Sequence, residues 1–263
     1  MANFVPSLYV QNKGEDSVDI ALKLTVARDK IIVRFTGGCG YMSPEDAQGM
    51  NNFFVDSFLG FGGAMIFGGT RMILRESKEI VSGITEIPSL IHRKCKDSVI
   101  LGVVPRSNEL MISGEDGLIV SDEAGEDYIT VVHPEQDACL VVQQSVDQGV
   151  SWEAEFLECI KITEKLRSLV RWKSILVSYN GGGVTEKEIV AIAKLGWPVI
   201  LIKGSGRKSD EYANDSQFLV RHPNVKVVDN GDVLGMRRIL CELSALSEVE
   251  MAEINRKYFM RIV

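Results

Sequence analysis

Residues 173–183 read Lys-Ser-Ile-Leu-Val-Ser-Tyr-Asn-Gly-Gly-Gly, and this stretch decides the fold. Ser174–Tyr179 is a short apolar run of the kind that forms a buried parallel strand, and it ends in a glycine turn that needs unusual backbone dihedrals. Val184–Leu195 follows with Ile189, Ile192, Ala193 and Leu195 at helical spacing, and Glu186, Lys187 and Lys194 are left to face water. Gly196 stops that helix, and Trp197-Pro198 leads into a second apolar run, Val199–Ile202. A second turn comes at once: Gly204-Ser205-Gly206-Arg207-Lys208-Ser209-Asp210. In an open α/β sheet such turns lie beyond the carboxyl ends of the strands, where ligands bind. Backbone N–H groups at a helix start are unpaired donors with partial positive charge, glycine lets an anion approach them, and Arg207 offers a bidentate contact. The stretch therefore reads as a phosphate-binding crevice.

The same unit recurs upstream. Lys30–Phe35 is a core strand running into Thr36-Gly37-Gly38-Cys39-Gly40, and Ser43-Pro44-Glu45-Asp46 opens a helix with an N-cap serine and proline at its first position. Ala64–Phe67 is a strand ending in Gly68-Gly69-Thr70-Arg71, and residues from Ile73 to about Cys95 read as largely helical, interrupted near Gly83 and Pro88. Ser98–Val104, closed by Pro105, is a further strand. Repeated strand, glycine turn and helix predict a single domain over 1–263: Rossmann-like α/β, doubly wound and mainly parallel, with helices on both faces. Residues 1–30 read as an edge segment, with Leu8–Val10 and Ile20–Val26 forming a hairpin around 12–16. Residues 106–150 are rich in Gly, Asp and Glu with strand-like pieces at 117–120, 128–132 and 138–142, a small β excursion or lid over the crevice mouth. Trp152–Val170 is a long amphipathic helix; helices near Asp210–Val220, Asp232–Leu246 and from Ser247 complete the chain, with a strand at Val225–Val228.

Composition narrows the function. The chain has 263 residues, 45% hydrophobic and 25% charged, with a net charge of −7, which argues against general nucleic-acid or anionic-membrane binding. No run is long enough to cross a bilayer and the first residues do not read as a signal peptide, so a cytoplasmic protein is expected. Five scattered cysteines without a Cys-x-x-Cys pair suit reduced thiols, and the three histidines show no ligand spacing, so no metal is expected.

Several motifs together resemble a known family. Thr36-Gly37-Gly38, Phe67-Gly68-Gly69-Thr70, Leu101-Gly102-Val103-Val104-Pro105 and above all Pro198–Asp210, with Gly-Ser-Gly-Arg-x-x-Asp, are similar to the cytosolic N-terminal domain of melastatin-type TRP channels. That domain belongs to the SLOG superfamily, related to Smf/DprA and Lonely Guy proteins, and this chain resembles its free-standing prokaryotic version from about Lys30 to Val220. The resemblance implies a nucleotide-derived ligand such as ADP-ribose, another NAD-derived molecule or a cyclic nucleotide, with no further cofactor. Carried over by position, it implies phosphate contacts from Thr36, Gly37, Gly38, Gly68, Gly69, Thr70, Gly181, Gly182, Gly183, Gly204, Ser205, Gly206 and Arg207. Arg71 and Thr185, beside these turns, complete the candidate set.

The chain also departs from the pattern. Lonely Guy hydrolases carry Pro-Gly-Gly-x-Gly-Thr-x-x-Glu, whereas this chain has Asn180 for the proline and Val184 for the last glycine, and the catalytic Arg-Lys pair is not evident. Glu188 is then either an acid or base in glycosidic cleavage or the partner of Thr185 in a capping box, an arrangement repeated at Ser247-x-x-Glu250. Cys39 reads as a small buried residue or a helix-start thiol, Tyr41 and Tyr179 as base-stacking candidates, Arg34 as strand and core, and Trp152, Trp172 and Trp197 as packing. Three functions remain: a sensor of a nucleotide-derived signal, an N-glycosidic hydrolase of nucleotides, or an assembly module with a vestigial pocket. Homo-oligomers are common for such folds, and no interface is marked in the sequence.

Overall fold

A computed structural model of the protein describes residues 7–10, 17–24, 26–38, 42–105, 113–114, 117–121, 126–142, 152–249, 252 and 256. The turn expected at 12–16, Cys39, Tyr41, Glu250 and the stretches 106–112 and 143–150 lie outside these residues.

Eight strands form one parallel sheet. They are β1 (Ser7–Val10), β2 (Ile31–Gly37), β3 (Ala64–Phe67), β6 (Val99–Pro105), β10 (Ala138–Val142), β11 (Lys173–Tyr179), β12 (Val199–Lys203) and β13 (Val225–Asp229), in the spatial order β1-β10-β6-β3-β2-β11-β12-β13. From β2 the chain winds outward through β3, β6 and β10, then returns to lay β11 on the other side of β2 and continues through β12 and β13. The direction of winding thus reverses between β2 and β11, the position at which an open α/β sheet leaves a crevice.

The strands are apolar on both faces because helices cover both. Ile31, Val33 and Phe35 of β2 face α2 (Pro44–Ser57), α3 (Ile87–Lys94) and α8 (Val233–Glu242), while Ile32 faces α1 (Ser17–Leu24) and α4 (Trp152–Val170). On that second side Leu176 and Leu201 pack under α5 (Gly183–Lys194), α6 (Arg207–Asn214) and α7 (Ser216–Arg221). Ser43 caps α2, its hydroxyl accepting from the Asp46 N–H, ahead of a proline in the first turn, as the sequence predicts. The fold is α/β, Rossmann-like and doubly wound.

A second, antiparallel sheet has the order β5-β4-β9-β8-β7, from β4 (Thr70–Leu74), β5 (Ile80–Val81), β7 (Ser113–Gly114), β8 (Gly117–Ser121) and β9 (Tyr128–Val132). The chain passes into it directly from β3 through Gly68-Gly69. Gly69 sits at φ +59°, where a Cβ would lie 2.7 Å from Val104 Cγ2. Only glycine fits there, for reasons of conformation and space together.

Three expectations are corrected. Ile20–Val26 is not a hairpin strand: residues 17–24 form α1, its Ser17 hydroxyl donating to Glu158 of α4, and β1 pairs in parallel with β10. Residues 73–95 are not mainly helical. Thr70–Leu74 pairs along its length with β9, a short 3-10 turn spans Ile84–Glu86, and the helix is confined to Ile87–Lys94; ladder pairing overrides the local periodicity. Residues 138–142, read as part of the excursion, form a buried strand of the main sheet. No helix among the described residues is long and apolar enough to cross a membrane.

Candidate functional site

β2 and β11 run side by side with Gly37 opposite Tyr179, so the turns after both strands emerge together at the switch point. Gly37 is held close: a Cβ there would lie 2.0 Å from the Tyr179 carbonyl oxygen. Asn180 takes a left-handed conformation, its Oδ1 accepting from the Gly181 N–H at 2.8 Å, and Gly182 is the N-cap of α5. The turn after β12 is stitched to this one. The Asn180 N–H donates to Ser205 Oγ at 2.9 Å, and the Lys208 and Ser209 N–H groups donate to the carbonyls of Gly181 and Asn180. Arg207 reaches back across the join, its Nη1 3.4 Å from where a Cβ would stand on Gly38 and its Nη2 2.7 Å from the same point on Gly182.

Beside these turns lies a cavity of about 340 Å³ at the carboxyl edge of the sheet. Thr36 and Gly37, Gly68 and Thr70, and Gly182–Thr185 supply three sides. The small sheet contributes Met72, Tyr128 and Thr130, and α4 contributes Trp152 from its first turn.

Three charged side chains line the cavity from the sheet and the helices behind it. Arg34, on the β2 face toward α4 and α5, donates from Nε to Glu188 Oε1 at 2.8 Å and lies 2.9 Å through Nη2 from Glu155 Oε1. All three are buried: Arg34 is 8% exposed, Glu155 5% and Glu188 1%. Cys159 donates from Sγ to Glu155 Oε1 at 3.2 Å. Arg34 Nη1 is buried without a hydrogen-bond partner. One arginine thus serves two carboxylates. Burial pushes the Glu155 carboxyl up to about 7; Arg34 pulls it down and the adjacent Glu188 charge adds to the rise.

The structure divides the sequence-derived candidates. Thr36, Gly37, Gly68, Thr70, Gly182, Gly183, Thr185 and Glu188 border the cavity. Gly38 lies beside it under Arg207, and Gly181 is packed on Thr185. Gly69 packs against β6. Gly204, Ser205 and Gly206 form the neighbouring turn, with the Gly204 N–H satisfied by Asp210 and the Ser205 hydroxyl donating to the Ile202 carbonyl.

Arg71 is turned away. Strand alternation directs Thr70 and Met72 to the cavity and sends Arg71 to the other face, where it binds Glu86 through Nε at 2.8 Å and Nη2 at 2.7 Å, next to His133. There burial pushes the Glu86 carboxyl upward, but hydrogen bonds and charge from His133 and Arg71 outweigh it and hold the group at about 2.

Further side chains differ from their sequence reading. Glu188 is not a capping-box partner: α5 is capped at Gly182 without a side-chain bond, which places Thr185 inside the first turn. Tyr179 is buried against Phe54 with its hydroxyl receiving a bond from Asn230, so it offers no face to a ligand. Trp152 belongs to the cavity wall, whereas Trp172 and Trp197 are buried packing residues. The residues missed from sequence are Arg34 and Glu155. The available signals were an arginine inside the run Ile-Ile-Val-Arg-Phe, and a glutamate in register with Cys159, Ile162 and Leu166 on the buried stripe of α4. Among the described residues no group of three or more His, Cys, Asp or Glu side chains is placed to hold a metal ion.

No protein-family model matches the chain, and no curated protein matches it. Among solved structures it is similar to the molybdenum cofactor carrier protein of Chlamydomonas reinhardtii, with 14% identity, a TM-score of 0.48, and 83% of this chain and 99% of that one covered. It is also similar to the molybdenum cofactor binding protein of Rippkaea orientalis, with 14% identity, a TM-score of 0.47, and 82% and 98% covered. Likeness at this level carries neither ligand nor activity across to this chain.

Proposed function

We propose that this chain binds a nucleotide-derived small molecule in the cavity at the β2–β11 switch point, as a SLOG-type module related to the melastatin channel domain. One observation carries the reading: the turns after β2, β3 and β11 converge on a single cavity of about 340 Å³, a size suited to a small ligand, with the start of α5 at its edge. The anionic end of the ligand lies on the Gly182–Gly183 N–H groups with Arg207 alongside, and the aromatic rings of Trp152 and Tyr128 flank its base. ADP-ribose, NAD, AMP and cyclic nucleotides are the candidates. A thermal-shift screen with these compounds tests it. A rise in Tm with the ligand recovered intact by mass spectrometry supports a sensor. Absence of any shift, together with absence of binding in calorimetry, rejects the reading.

A second reading, N-glycosidic hydrolysis of a nucleotide, is favoured by one feature: two carboxylates, Glu155 and Glu188, line the same cavity, and burial shifts Glu155 toward neutrality. It predicts recovery of free base and ribose phosphate from the incubation, lost in Glu188→Gln.

A further inference from the structure

The polarity of the cavity runs opposite to a simple phosphate pocket. At its glycine rim the donors are the N–H groups opening α5, with Arg207 adjacent. Where Arg34 lies, one guanidinium faces two carboxylates, and both carboxylates line the cavity. The cluster carries no net positive charge, so it offers a phosphate less than the glycine rim does. Each carboxylate has about four acceptor positions. Glu188 uses them on Arg34 alone among the bonds described, and Glu155 on Arg34 and Cys159. Acceptor capacity therefore remains, and Glu155 Oε2 sits beneath the β3 turn, 3.9 Å from the point a Cβ would occupy on Gly68. The complement to two adjacent acceptors is a pair of adjacent donors. The threonines around them, Thr36, Thr70 and Thr130, suit a hydroxylated group better than an apolar one.

We propose that Glu155 and Glu188, held side by side on Arg34, receive the vicinal 2′- and 3′-hydroxyls of a ribose whose phosphate lies at the start of α5. The inference rests on the nucleotide reading above and deepens it: the ligand is a ribonucleotide derivative with a free cis-diol, oriented sugar to the carboxylates and phosphate to the glycine rim. Glu155 is then a specificity residue supplied by α4, from outside every glycine turn.

The test is calorimetric titration of the full chain with AMP, 2′-deoxy-AMP, 3′-deoxy-AMP and inorganic pyrophosphate. Hydroxyl-to-carboxylate bonds are charge-assisted, so loss of either hydroxyl is expected to weaken binding by about tenfold to a hundredfold. In Glu155→Gln, an isosteric change, the gap between AMP and 2′-deoxy-AMP is expected to shrink to about threefold or less. AMP bound no more tightly than both deoxy forms overturns the diol assignment while leaving the nucleotide reading intact, and that comparison needs only the unaltered chain. Pyrophosphate bound as tightly as AMP overturns it in the same way, because the sugar end then contributes nothing. No binding of these three nucleotides, nor of ADP-ribose or NAD titrated in the same way, overturns both readings.

Discussion

Arg34 on β2 and Glu188 on α5 meet at 2.8 Å across the β2–β11 switch point, 154 residues apart in the chain, and Glu155 from α4 closes on the same guanidinium at 2.9 Å. This buried arginine ties two crossover helices to the central strand. It also sets the charge at one end of the cavity. Fold and site therefore share one residue.

Removing it exposes the imbalance. Arg34→Ala leaves two buried carboxylates without a cation, and loss of one partner from a buried ion pair costs about 3–5 kcal/mol. Denaturant unfolding is expected to show a fall of that order. Arg34→Ala combined with Glu155→Gln and Glu188→Gln should recover part of it; no recovery would show that the charges are not the cause.

The two buried carboxyls with shifted acidity act in opposite pH windows. Glu155 is raised to about 7 in the folded chain, against an ordinary carboxyl near 4.5, so the folded state holds its proton more tightly than the unfolded state. Its contribution is complete below about pH 4.5 and is lost as pH rises toward 7, by roughly 2–4 kcal/mol. Its charged neighbours are Arg34 and Glu188, with the Cys159 thiol in contact. Glu86, held at about 2, does the reverse: its contribution is present above pH 4.5 and lost as pH falls toward 2. Unfolding free energies measured from pH 3 to 8 should rise and then fall, and Glu155→Gln should flatten the limb above pH 5.

Arg207 is exposed, so Arg207→Ala is expected to leave Tm within about a degree while weakening an anionic nucleotide about ten- to a hundredfold. Calorimetry and a thermal melt on the same preparation separate the two effects. Unchanged affinity would remove Arg207 from the site.

Two glycines with similar sequence contexts should respond differently to alanine. Gly69→Ala meets Val104 at 2.7 Å in a left-handed conformation and is expected to destabilise by about 2 kcal/mol or more. Gly183→Ala meets nothing within 4 Å and opens α5, so stability should hold or rise slightly, and any effect should fall on ligand binding.

Arg237 is fully buried and donates from Nη1 to the carbonyls of Asp56, Ser57 and Leu59 at 3.1–3.2 Å, closing the end of α2. Arg237→Ala should cost about 2–4 kcal/mol without touching nucleotide affinity, since the residue lies on the opposite face of the sheet from Arg34.

The alternation of apolar runs with glycine turns at 36–38, 181–183 and 204–206 was enough to identify a doubly wound sheet and the edge on which its cavity lies. Those signals are local: a buried parallel strand is apolar over its whole length, and a turn that crowds its neighbours must be glycine. The assignment of residues 73–95 was not available locally, because β4 is stabilised by pairing with a strand 54–62 residues away, and the ladder decides where intrinsic preference is weak. The carboxylate cluster was hidden for the same reason. Arg34 in an apolar strand and Glu155 on a helix stripe are each ambiguous alone; they become a site only when the winding order places α4 and α5 over β2, 121 and 154 residues onward. Sequence determined the layers and the glycine edge, because backbone conformation is encoded within a few residues. Only the tertiary structure decided which charges share the cavity, because burial and pairing are properties of side chains brought together from distant parts of the chain.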